Sequence, residues 1–99
     1  MNPKTKVIFR MFRGEVLALF PQDAGTNNPG TCSCYAHNGQ HGSASLALCH
    51  EGRLATPAEY APLARELRNY GPPEAHYNLD IRKRATRKDY EMRKAQISR

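Results

Sequence analysis

The chain of 99 residues has no tryptophan, 8% aromatic residues and three cysteines. It has no apolar run near the roughly 18 to 20 residues that crossing a bilayer requires. Its most apolar N-terminal stretch, residues 7–12, is interrupted by Arg10. No membrane association is therefore expected, and no secretory leader is read. Three thiols, an odd number, point to a reducing compartment rather than a disulfide scaffold, so a cytoplasmic location is expected. Walker and dinucleotide glycine patterns, a Cys-x2-Cys knuckle, and helix-turn-helix, RNP and KH signatures are all missing. No cofactor is expected, and the balance leans away from an enzyme. At 11.1 kDa, with 39% hydrophobic and 24% charged residues, the chain is sized for one domain with one modest core.

Negative charge is scarce in one place. Residues 1–80 hold seven basic and seven acidic side chains, whereas residues 81–99 hold eight basic ones against Asp89 and Glu91, the whole net charge of +6. The expected organisation is a neutral body over residues 1–81 and a basic helical tail over 82–99 within the same domain.

The body alternates in the manner of strands. Residues 6–13 and 15–20 are rich in β-branched and aromatic side chains around Gly14, the pattern of a hairpin that is apolar on both faces. Pro21 is read as its end, followed by a loop over residues 22–31. Residues 32–37 read as a third strand, residues 38–42 as a glycine-containing turn, and residues 43–49 as a further strand. Thr56-Pro57-Ala58-Glu59 has the residues of a capping box. Tyr60, Leu63, Ala64 and Leu67 then form one stripe, with Pro62 predicting a kink or restart and Gly71 a stop. Residues 77–82 alternate as a last strand. Thr86 opens a second helix whose thin stripe is read as Tyr90, Lys94 and Ile97. The predicted class is α+β: an antiparallel sheet of four or five strands, one packed helix and a basic C-terminal helix. The two apolar hairpin faces also suggest a homodimer that covers one of them.

Three constellations could carry chemistry. Lysine and arginine close to phosphates release counterions, so Arg82, Lys83, Arg84, Arg87, Lys88, Arg93 and Lys94 form a candidate surface for RNA or DNA. A solvated, solubilising helix is the alternative. Tyr35, His37, Gln40 and His41 form a candidate polar patch, able to stack on bases and donate to phosphate, or else simply to satisfy a turn. Cys32, Cys34 and Cys49 with His37, His41 and His50 contain enough ligands for zinc or a thiol site. Their spacing is poor for a tetrahedron, however, and buried packing of the thiols is favoured over metal.

The run Val7-Ile8-Phe9-Arg10, then Gly14-Glu15-Val16-Leu17-Ala18-Leu19-Phe20-Pro21 and Cys32-x-Cys34-Tyr35-x-His37-x-Gly39-Gln40-His41, resembles a group of small uncharacterised bacterial and phage proteins. Thr56-Pro57-x-Glu59-Tyr60 and Arg84-Ala85-Thr86-Arg87 extend the similarity over most of the chain. The resemblance implies serine where Cys34 stands and no metal ligand at Cys49. It also implies an accessory role on mobile elements, with a host protein as an alternative partner to nucleic acid.

Overall fold

The computed structural model describes residues 3–36 and 40–97. Two long strands organise everything else. β1 (Lys4–Phe12) and β2 (Glu15–Ala24) pair antiparallel with Phe12 opposite Glu15, which leaves Arg13 and Gly14 as a two-residue turn. Both turn residues have positive φ, 52° and 80°, the combination that matches the twist of a tight hairpin. β2 does not stop at Pro21, as expected, but runs on to Ala24. The proline ring has no N–H for the ladder, and the register against the next strand shifts between Phe20 and Ala24 to accommodate it.

From β2 the sheet continues through β3 (Thr31–Tyr35) and β4 (His41–Ser45), both antiparallel to their neighbours. The fourth strand ends earlier than the sequence pattern suggests. Ser45 caps a short 3-10 segment, Leu46–His50, by accepting from the Ala47 N–H at 3.3 Å. On its other side β1 is shared between two short strands. β5 (Arg53–Leu54) pairs antiparallel with Arg10 and Met11, and β6 (Asn78–Arg82) pairs parallel with residues 4–8. The class is α+β as expected, but the sheet is mixed, with six strands among the described residues. The crossover through a helix returns the chain in the direction of β1, and a parallel partner is the geometric result.

That helix, α1 (Pro57–Asn69), begins with the full capping box. The Thr56 hydroxyl accepts from the Glu59 N–H at 3.3 Å, and the Glu59 carboxylate accepts from the Thr56 N–H at 2.9 Å. Arg53 adds a two-pronged contact to the same carboxylate, at 2.7 and 2.5 Å. Pro62 neither stops nor restarts α1. It removes only the hydrogen bond to the Ala58 carbonyl, and both residues lie on the exposed side, where water can replace it. The predicted stripe is the buried one. Leu63, Ala64 and Leu67 pack with Val7, Phe9, Ala18, Phe20 and Tyr35, and Tyr60 stacks on Phe9 at 4.6 Å. Each buried leucine contributes about 2 kcal/mol by area.

The opposite face buries Ile8, Leu19 and Cys32 beneath Cys49, with Phe12, Leu17, Leu46, Leu48, Leu54 and Ala85 around them. Both apolar faces of the hairpin are thus covered by the chain's own elements, which removes the argument for a second copy. The last element is α2 (Arg87–Ile97), which lies against β2. Among the described residues no helix is long and apolar enough to cross a membrane.

Thr56→Ala should cost about 1 kcal/mol by loss of the cap, read as a lower urea midpoint at unchanged slope. The Arg53 guanidinium, followed by the capping N–H, holds the Glu59 carboxyl down at about 2, against an ordinary value of 4.5. Its stabilising effect is complete above the ordinary value and is lost as pH falls through about 2. Glu59→Gln should therefore be less stable than the parent at pH 6, and the difference should shrink towards pH 2.

Candidate nucleic-acid interface

The basic C-terminal segment is docked by polar side chains rather than by an apolar stripe. Asp89 and Arg93 stand four residues apart on α2 and are 1% and 0% exposed. The Asp89 carboxylate accepts from the Lys6 ammonium at 2.6 Å, from the Gln22 amide at 3.0 Å and from the Thr86 N–H at 2.8 Å. Burial pushes this carboxyl up, but the Lys6, Gln22 and Thr86 donors outweigh burial and hold it below its ordinary value. The Arg93 guanidinium donates to the carbonyls of Pro21 and, at 2.9 Å, Pro29. Gln96 completes the seam, accepting from the Ala24 N–H at 2.7 Å and donating to the Gln22 carbonyl at 3.1 Å.

This corrects two expectations. Arg93 is not part of a phosphate-binding surface, because its charge is buried against backbone carbonyls of the body. The docked stripe is Asp89, Arg93 and half-buried Ile97, not Tyr90, Lys94 and Ile97; Tyr90 is 37% exposed, with the Arg93 guanidinium 5.6 Å from its ring centre.

Docking α2 creates a cleft of about 610 Å³ between the end of β6, the start of α2 and the side chains of Lys6 and Gln22. Arg82, Lys83, Arg84 and Lys88 line it, four of the seven predicted cations, with Lys6 as a fifth that sequence reading missed. Its two carboxylates are already engaged, Asp89 by Lys6 and Asp80 by Arg82 at 2.9 Å. Among the described residues Lys83, Arg84 and Lys88 have no ion pair, so the cleft presents three uncompensated cations. Arg87 and Lys94 are exposed on α2 and do not line it.

The predicted polar patch is divided. Tyr35 is buried in the core and donates its hydroxyl to the Glu66 carboxylate of α1, so its ring is not available to a base. His41 lies edge-on to Tyr35 at 4.7 Å, and Gln40 is exposed, its carbonyl accepting from the Ala36 N–H at 3.0 Å. His37 lies outside the described residues.

The thiols occupy the other face of the sheet. Cys32 and Cys49 are buried together, and Cys34 packs beside them. The hydrogen bond between the pair raises the Cys32 thiol and lowers that of Cys49, helped at Cys49 by the charges of Arg93 and Arg10, while burial raises Cys34. Two guanidinium groups beside the pair disfavour a metal cation there, and His41 is on the α1 side of the sheet. Among the described residues no group of three or more ligands is placed to hold a metal.

Comparison with protein-family models, with curated proteins and with solved structures finds no match. The functional reading rests on the chemistry of the cleft.

Asp89→Ala would strand the largely buried Lys6 ammonium and should cost about 3 kcal/mol in urea unfolding. Combining Asp89→Leu with Lys6→Met should recover most of that loss, because a buried ion pair exchanged as a whole for apolar groups of similar volume is nearly neutral. A double variant as unstable as Asp89→Ala would mean that Gln22 and Thr86, rather than Lys6, set the cost.

Proposed function

We propose that the protein is a non-enzymatic module that binds nucleic acid through the cleft at the junction of β6 and α2. The observation that carries this reading is the set of three cations, Lys83, Arg84 and Lys88, lining one cleft whose carboxylates are already paired. Phosphates spaced along a chain suit such a set, since each neutralised phosphate releases condensed counterions and adds affinity without reading sequence. The rigid seam beneath α2 supports the reading further. Lys88 is held in the first turn of a docked helix, so it meets a phosphate without the ordering entropy a free tail would lose.

Removing residues 82–99 would be a poor test, because it also removes Asp89 and Arg93 from the interior. The informative variant is Lys83→Glu with Lys88→Glu, set against Arg65→Glu with Arg68→Glu on the exposed side of α1. Titration of labelled single- and double-stranded RNA and DNA across a salt series should show log affinity falling with log salt. The slope should be roughly −2 for a single strand, as three phosphate contacts require. The cleft variant should lose binding at least ten-fold and the α1 variant should keep it. Absence of salt-dependent binding to every nucleic acid, or equal loss in both variants, overturns the proposal.

A further inference from the structure

The division of β1 between two short partners leaves a gap. β6 reaches Ile8 through Arg82, β5 begins opposite Arg10 through Leu54, and the position between them is Phe9. At that position the Ala55 N–H donates to the Phe9 carbonyl at 3.0 Å. A groove of about 460 Å³ opens here on the α1 side of the sheet, with Phe9, Tyr60, Pro57 and Ile81 among its walls. Among the described residues no carboxylate lines it. Its volume lies within the range of sites that bury small molecules.

The groove is continuous with the cationic cleft. Ile81, Arg82 and Lys83 line both, one from each side of the sheet edge where β6 ends. A polyanion held by Lys83, Arg84 and Lys88 therefore passes beside an aromatic-walled groove with cations at its rim. Phosphate next to an apolar, aromatic slot is the pairing by which single strands are bound: charge follows the backbone and rings receive the bases.

We infer, resting on the reading of the cleft as a nucleic-acid site, that the protein selects single strands and takes an unpaired base into the groove beside Tyr60. A stacked duplex cannot turn around the sheet edge to place a base on one side and its phosphates on the other. A single strand can. Tyr60 is the aromatic contact for the base, and Phe9, stacked behind it, fixes the ring.

The test uses the whole protein with four probes: a thymidine decamer, a uridine decamer, an abasic decamer with the same number of phosphates, and a hairpin duplex. The base-bearing single strands should bind roughly ten-fold more tightly than the abasic chain and more tightly than the duplex. Tyr60→Leu should reduce the thymidine and uridine decamers to the abasic level while leaving the salt slope unchanged. Tyr60→Phe, which keeps the ring, should bind as the parent does. The abasic comparison on the unaltered protein needs no variant, so a folding defect in Tyr60→Leu does not remove the test. Equal affinity for base-bearing and abasic chains, with salt-dependent binding retained, overturns the base groove and leaves the cationic cleft standing. Loss of all salt-dependent binding overturns both.

Discussion

The arrangement depends on the burial of two opposite charges, Asp89 and Arg93, beneath the last helix. The mean hydropathy of α2 is low and its apolar residues are few, so area alone would hold it weakly. Instead, a carboxylate finds three donors and a guanidinium finds proline carbonyls, which turns a costly desolvation into a set of directional bonds. Directional bonds also fix position. They set where residues 83–88 cross the end of β6, and hence the shape of the cationic cleft.

That seam explains what was legible in the sequence. β-Branched and aromatic residues around Gly14 revealed β1 and β2, and period-two alternation revealed β3 and β6, because each turns apolar side chains to the core. The capping residues Thr56 and Glu59 and the stripe Leu63, Ala64 and Leu67 revealed α1 for the same reason. The face of α2 could not be read in that way, since hydrophobic periodicity is blind to a buried aspartate and arginine. Their four-residue spacing was the available signal, but it means burial only once Lys6, Gln22 and the Pro21 and Pro29 carbonyls are known to lie opposite. The two-residue β5 was invisible because its pairing is set by the sheet rather than by its own side chains.

The candidate site was legible in outline only. Charge counting singled out the segment that brings Arg82, Lys83, Arg84 and Lys88 to the cleft, because an excess of one sign is a property of composition. It could not separate Lys88, which lines the cleft, from Arg93, five residues on and buried. The Tyr35 patch misled for a related reason: a tyrosine beside histidines looks like a recognition surface, yet here its ring fills the core and its hydroxyl is taken by Glu66. Pro21 has a comparable double character. It interrupts the ladder of β2, and its carbonyl accepts the arginine that anchors α2.

The parallel pairing of β1 with β6 joins residues 4–8 to residues 78–82, and the Lys6–Asp89 bond joins positions 83 apart in sequence. A chain that emerges from its N-terminal side therefore builds the β1–β2 hairpin early and leaves half of one long edge of β1 unpaired until β6, the last of the described strands, has been made. During that interval an apolar strand offers free N–H and carbonyl groups to any neighbour. Loop closure over so many residues is also slow. Lys4 and Lys6 stand on that late-paired edge, where positive charge disfavours pairing with a second strand, and the same Lys6 then anchors α2.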